Sequence, residues 1–282
     1  MILSLLGCNN SSNLRPDNYV GNTGEVSNEI IAQQRTVLKE SIVGQDVGAQ
    51  SPRNIDVLRG SNLKATVTAP ASTEMYLCDI HFHKNAEHKG GEFTTYAGNG
   101  NAEGYGTGYK YSGTLTEEEK MPSVIEDKAN TLSSGDTIEV HYVYSGNAYA
   151  SLGNGLGTCF GDVVKGTQPL LRVETQVYVL VSDETALDFK DLTKVSMVNG
   201  RYQAENIPSD TGTPIEYEGS TTGPGYNTTV SPYQVTWRVR PNIAKVNITT
   251  VGEWLNDNNF EEHYAHAVRN LVLNTDLLSD IQ

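Results

Sequence analysis

The reading of this chain rests on Asp79-Ile80-His81-Phe82-His83-Lys84-Asn85-Ala86-Glu87-His88 and on a second run, Asp136-Thr137-Ile138-Glu139-Val140-His141-Tyr142-Val143. Four of the six histidines fall in these two segments. Side chains at i and i+2 of a β-strand share a face. His81 and His83 therefore aim at one point, and His141 can close the set from a neighbouring strand. Three neutral imidazoles on a rigid sheet, with a further position for water, form the usual donor set of a catalytic zinc site. The pattern predicts a sheet-centred protein with metal-dependent lyase or hydrolase chemistry.

Working outward, Glu74 to His83 reads as a strand ending in the turn Lys84-Asn85, and Thr137 to Tyr144 as another. Leu170 to Val181 has the length and apolarity of a strand at the sheet centre, and Tyr233 to Val239 adds a further one. Residues 54–68 suggest entry into the sheet. Ile31, Leu38 and Ile42 mark a helix over Asn28 to Ile42, and Phe260, Tyr264, Val268 and Leu271 predict a second over Asn259 to Leu273. Residues 89–114, rich in Gly, Tyr, Asn and Thr, read as a surface loop or irregular hairpins. Glu117-Glu118-Glu119-Lys120 reads as a solvated face. Gly153-Asn154-Gly155-Leu156-Gly157 reads as a turn before Cys159, since no lysine or helix start follows as a phosphate loop would need. The expected fold class is α+β, mainly β, with a mostly antiparallel central sheet and peripheral helices.

The chain has 282 residues, 37% of them hydrophobic, and 27 glycines, which suits a loop-rich β-containing globule. A net charge of −14 argues against nucleic-acid binding, which needs a basic face. No apolar stretch has the length of a membrane-spanning helix.

Met1-Ile2-Leu3-Ser4-Leu5-Leu6-Gly7-Cys8 ends as a bacterial lipoprotein cleavage site does. Residues 1–8 therefore read as a signal-peptide remnant with Cys8 as the lipidation site. A cropped start with no lipid is the alternative. Residues 9–25 read as a polar linker, and 26–282 as one domain. Cys78 and Cys159 then remain as an even pair, which an oxidising compartment would allow to bond. Two buried thiols are the alternative. Cys78 as a metal ligand is disfavoured, because an odd offset from His81 points it to the opposite face. The expectation is an exported protein, periplasmic or at the cell surface, with membrane contact only through a lipid anchor at Cys8.

With Ala86-Glu87-His88 and Ile138-Glu139-Val140-His141 included, the sequence resembles a carbonic anhydrase. The alpha class carries a similar His-x-His, then Ser-Glu-His, then Glu-Leu-His. The delta-class pattern, His-x-His-x-x-Ala-Glu-His followed by Glu-x-His, is the nearer match and stands at His81 to His88 and Glu139 to His141. The resemblance continues through Arg172 to Val181 and Ser231-Pro232-Tyr233-Gln234-Val235-Thr236-Trp237, covering roughly residues 55–245.

The resemblance implies a sheet of carbonic anhydrase type and a Zn2+ ion held by His81, His83 and His141. Glu139, two residues before His141, would orient one imidazole, and Asp79, two residues before His81, could accept the remaining ring N–H of His81. Glu87 would accept a hydrogen bond from a threonine hydroxyl, for which Thr228 is the candidate. The implied reaction is the reversible hydration of carbon dioxide to bicarbonate and a proton by zinc-bound hydroxide. Zinc brings the pKa of its water to about 7, a value known for this enzyme class. Val143, Val235 and Trp237 would form an apolar wall for carbon dioxide. A proton shuttle is not evident. His88 reads as buried and structural, and His263 and His266 as surface positions on the C-terminal helix.

Two rivals remain. A cupin motif, His-x-His-x3-Glu, would recruit His81, His83, Glu87 and a later histidine for iron or manganese. It lacks support before His141, where no Pro-x-Gly stands. A surface lipoprotein with a vestigial zinc site is the other.

Overall fold

The computed structural model describes residues 24–64, 67–125, 131–161, 168–221 and 227–281. Cys8 and nearly all of the 9–25 linker lie outside the described residues. In chain order the strands are β1 (Tyr76–Lys84), β2 (Thr95–Tyr96), β3 (Tyr109–Lys110), β4 (Val124–Ile125), β5 (Leu132–Ser133) and β6 (Thr137–Ser145). They continue with β7 (Leu171–Val181), β8 (Val195–Val198), β9 (Arg201–Ala204), β10 (Ile215–Ser220), β11 (Gln234–Val239) and β12 (Ala244–Asn247). The helices are α1 (Asn28–Glu40), α2 (Leu156–Phe160), α3 (Phe189–Leu192) and α4 (Ile248–Asn256). No described helix is long and apolar enough to cross a membrane.

The main sheet runs β1-β6-β7-β11-β10, and β12 also pairs with β7 beyond β11. The β1/β6, β6/β7 and β10/β11 pairs are antiparallel, and the two that join β7 to β11 and β12 are parallel. The sheet is therefore mixed, in a mainly β protein. All 11 residues of β7 are buried, because strands flank it on both sides and apolar layers cover both faces.

Alternation along β6 separates core from site. Ile138, Val140, Tyr142 and Tyr144 join Ile80 and Phe82 of β1 in a core closed by Phe189 and Trp254 of α3 and α4. Phe82 meets Phe189 edge-on at 5.7 Å and Trp254 at 5.9 Å between ring centroids. Truncating such a ring to alanine costs about 3–5 kcal/mol. The opposite face of the sheet carries a second core with Val143, Val173, Val177, Val235 and Trp237. The register places His81 opposite His141 and His141 opposite Thr175. A slip of one residue would drive the histidines into the aromatic core, so the core residues between them fix where they point.

Four sequence expectations are corrected. Residues 259–273 form no helix; the helix precedes them, as α4. Their apolar residues serve different cores, Phe260 one and Leu271 the other, so no single helical face exists. Asn258 also turns the chain, accepting from the Phe260 and Glu262 N–H groups, and Glu261 follows with φ +55°. Residues 54–68 add no strand among those described, only the bridge of Asn54 with Lys89. Glu119 is buried rather than solvated, paired with Lys245.

Cys78 is the fourth. The pairing register of β1 shifts between Leu77 and Asp79. A bulge of this kind re-aims a side chain. Cys78 accordingly joins the core of Val143 and Val173, on the sheet face that also carries the histidines, and forms a disulfide with Cys159, Cα to Cα 5.1 Å.

Candidate metal centre

His81 and His83 rise from β1 and His141 from β6 onto one face, and one nitrogen of each ring lies within 4.8 Å of the other two. Each ring has its second nitrogen engaged. Asp79 Oδ2 stands 2.7 Å from His81 Nδ1, the Ala267 carbonyl 2.7 Å from His83 Nδ1, and Glu139 Oε1 2.7 Å from His141 Nε2. Carboxylates and carbonyls only accept, so those nitrogens carry the protons. The nitrogens left to converge are Nε2 of His81, Nε2 of His83 and Nδ1 of His141. His83 Nε2 is buried with no hydrogen-bond partner. His81 Nε2 and His141 Nδ1 are 3.3 Å apart. Two nitrogens bound about 2.0–2.1 Å from one tetrahedral zinc would be separated by about 3.3 Å. The donor set thus fits zinc in chemistry and spacing.

Burial and charge act together on His83 and oppose each other on its neighbours. Burial and the neighbouring rings hold His83 well below its ordinary range, and burial lowers His141 to about 4 against the pull of Glu139. Both are neutral and ready to donate. Burial would lower His81 too, but the Asp79 carboxylate overcomes it and raises the ring to about 9. Burial would raise Glu139, yet His88 and His141 hold it well below the usual carboxylate range.

Glu139 is the hub of a buried chain. Its Oε1 also meets His88 Nδ1 at 2.7 Å, and its Oε2 accepts the His88 backbone N–H at 3.0 Å. His88 Nε2 reaches Tyr217 Oη at 2.6 Å, and Tyr217 Oη reaches Ser51 Oγ at 3.0 Å. His88 and Glu139 are both 0% exposed, which suits the structural part read for His88. The Trp237 ring packs 4.9 Å from both His88 and His141.

A cavity of ≈ 120 Å³ opens above the three histidines. Glu87, Trp237, Thr221, His266 and Arg269 contribute to its wall. Glu87 Oε1 accepts the Arg269 backbone N–H at 2.8 Å, and burial raises this carboxyl to about 7. That oxygen is 3.7 Å from His83 Nδ1, the nitrogen facing away from the convergence point, so Glu87 stands outside the donor set a cupin would need. Thr228 lies in a turn and does not border the cavity, whereas Thr221, just past β10, does. Val143 and Val235 pack in the core beside Trp237, which alone of the three lines the cavity.

Five participants escaped the sequence reading. His266 lies on the irregular C-terminal arm, its ring 5.1 Å from His81 and 5.8 Å from His83. Its N–H donates to the Phe82 carbonyl and its own carbonyl accepts from Lys84, extending the edge of β1. Glu262 Oε2 holds His266 Nε2 at 2.7 Å. Ala267 acts through a backbone carbonyl, which no residue type announces. Tyr217 and Thr221 could have been sought in the run Tyr217-Glu218-Gly219-Ser220-Thr221, since Tyr217 pairs with Trp237 across β10 and β11.

No curated protein sequence matches the chain. Among solved structures it is similar to a Photobacterium profundum alpha-carbonic anhydrase at 13% identity, covering 83% of this chain and 90% of that one, with a TM-score of 0.27. A Thermovibrio ammonificans alpha-carbonic anhydrase, solved with the inhibitor sulfanilamide, has 11% identity, coverage of 83% and 91%, and the same TM-score of 0.27. Dioscorin complexed with ascorbate has 11% identity, coverage of 88% and 90%, and a TM-score of 0.29. The family model described as delta carbonic anhydrase matches residues 72–250, a span that contains His81, His83, Glu87, His88, Glu139, His141 and Trp237. The chain belongs to the delta carbonic anhydrase family.

Proposed function

We propose that the protein catalyses the zinc-dependent, reversible hydration of carbon dioxide to bicarbonate and a proton. The observation that carries this reading is the convergence of three imidazole nitrogens, each ring locked through its other nitrogen. Zn2+ held by His81, His83 and His141 would supply a Lewis acid that makes a water molecule acidic near neutral pH. Asp79, Glu139 and the Ala267 carbonyl orient the rings and raise their basicity, a support that typically matters 10–100-fold, as order of magnitude, in affinity or activity. Glu87 offers a fixed acceptor in the cavity wall, and Thr221 a hydroxyl on the same wall. Trp237 supplies the apolar surface against which a small nonpolar substrate is held.

Metal analysis of the purified protein and stopped-flow hydration with and without a sulfonamide test the reading. One zinc per chain with sulfonamide-sensitive hydration supports it. Zinc without hydration would leave a metal-binding protein on the same scaffold. Iron or manganese would overturn the metal assignment.

We also infer export. The Cys78–Cys159 disulfide suits an oxidising compartment. A lipid on Cys8 would tether the domain to a membrane surface. Detergent-phase partitioning of the full chain and of Cys8→Ser tests the anchor: equal partitioning of the two would remove it.

A further inference from the structure

Residues 146–161, which follow β6 on the way to β7, touch the site at two separate points. The first is the disulfide from Cys159 of α2 to Cys78, the residue directly before Asp79. Thr158 Oγ1 and the Gly153 N–H both donate to the Cys78 carbonyl at 3.2 Å. Ser145 Oγ donates to the Cys159 carbonyl at 2.7 Å, tying the other end of the loop to β6. Asp79 is 2% exposed, and its Oδ1 is buried with no partner. A carboxylate so poorly matched would turn outward if its surroundings loosened.

The second point is Asn154. Its Nδ2 donates to Glu262 Oε1 at 2.8 Å. The other oxygen of that carboxylate holds His266 Nε2 at 2.7 Å, and Glu262 is 1% exposed. The His266 ring stacks on Tyr264 at 5.2 Å and 16° and forms part of the cavity wall. A carboxylate gripped on both oxygens has one orientation, and the ring it holds inherits that constraint.

We infer that residues 146–161 are a positioning clamp: through the disulfide they fix Asp79 and hence His81, and through Asn154 and Glu262 they fix His266 on the cavity wall. The inference deepens the metal reading and rests on it. The glycines flanking Asn154 let the loop make this reach, Gly155 with φ +76°. The run Gly153 to Gly157 is thus the tip of the clamp, and α2, which begins within it at Leu156, is only 5 residues long.

Each arm can be cut alone. Cys78→Ala with Cys159→Ala cuts the first, and Asn154→Asp, which keeps shape but sets like charge against Glu262, cuts the second. The measurements are thermal melting, the rate of zinc transfer to a chelator, kcat and KM for hydration, and amide exchange over residues 262–268. Loss of the disulfide is expected to speed zinc transfer about 10-fold, the scale of losing a ligand's outer support. Asn154→Asp is expected to leave zinc transfer within about 2-fold of wild type, while kcat falls about 5-fold and exchange protection drops over 262–268.

If both variants only lower the melting temperature, with zinc transfer, kcat and local exchange as in wild type, the loop is mere structure and the inference falls. It falls equally if the two variants change every measurement alike. Should the double cysteine variant fail to fold, a dithiol that reduces the bond in the folded wild type, itself becoming a disulfide, cuts the same arm. Absence of hydration by the wild type would sink the proposed function, and zinc transfer and amide exchange would still decide the clamp.

Discussion

The β1–β6 pair brings His81, His83 and His141 to the cavity on two antiparallel nine-residue strands. The arm of residues 258–271 brings Glu262, His266, Ala267 and Arg269 with no regular structure beyond a bridge at His266. In the first region a period of two sets direction, and apolar neighbours enforce it: each ligand is flanked by a residue that must enter the aromatic core. In the second, direction comes from individual contacts: Asn258 at the turn, the β1 backbone at His266 and Glu87 at the Arg269 N–H. The backbone placement of the strands is expected to withstand loss of a single contact but not a slip of register, and that of the arm the reverse.

The largest effect should follow from emptying the strand region of a ligand. His141→Ala is expected to lose stoichiometric zinc and reduce hydration to background, with the fold retained by circular dichroism. Full zinc occupancy in that variant would remove His141 from the donor set.

Next comes the support behind a ligand. Glu139→Ala leaves the ring N–H groups of His88 and His141 buried without acceptors, at a cost of about 1–3 kcal/mol for each orphaned donor. Zinc affinity should fall about 10–100-fold in chelator competition. Wild-type affinity would show that His141 is held without Glu139.

Protonation sharpens the contrast within the strand region itself. Burial opposes charge on His81, but Asp79 raises it to about 9, whereas His83 and His141 are already neutral. Zinc binding at pH 7 should therefore expel about one proton from His81, beside the fraction lost by a zinc-bound water with a pKa of about 7, and above its folded pKa the His81 share disappears. Calorimetry in buffers of different ionisation enthalpy counts it; three protons, or none, would contradict the assignment. In the ion-free protein, His141 is lowered to about 4, so its stabilisation is full above its ordinary value of 6.5 and disappears as pH falls from there toward 4. His81 runs oppositely: its contribution is full below 6.5 and is lost as pH rises through about 9. Urea unfolding of the chelator-treated protein against pH reads both slopes.

Smaller effects are expected in the arm. His266→Ala should keep zinc stoichiometry and lower kcat/KM by less than about 10-fold, since the ring borders the cavity without joining the donor set. Loss of zinc in that variant would make the arm part of the coordination itself. Smallest of all should be Thr228→Val, a residue off the cavity wall, with hydration unchanged within about 2-fold; a large loss would restore it as the partner of Glu87.

Much of the strand region was legible in the sequence because its information is local. His81, His83 and His141, with Asp79 and Glu139 two residues ahead of two of them, stand at the spacing a strand converts directly into a shared face. The apolar run over Leu171–Val181 announced the sheet centre for the same reason. Cys78 misled because a bulge inserts one residue that no alternation pattern reveals. The arm misled because Phe260, Tyr264, Val268 and Leu271 mimic a helical stripe, while Phe260 and Leu271 serve separate cores and Tyr264 stacks on His266.

By itself, then, the sequence determined the three imidazoles, the carboxylates behind two of them and the strand faces that carry them, since side-chain period and residue type are local quantities. Only the tertiary structure decided that His83 leans on a backbone carbonyl from Ala267, 184 residues away, that Glu262 and Asn154 hold His266 beside His81, and that Thr221 rather than Thr228 borders the cavity. Those contacts depend on which distant backbone segment fills the edge of β1, a matter of packing and hydrogen-bond completion that no local pattern encodes.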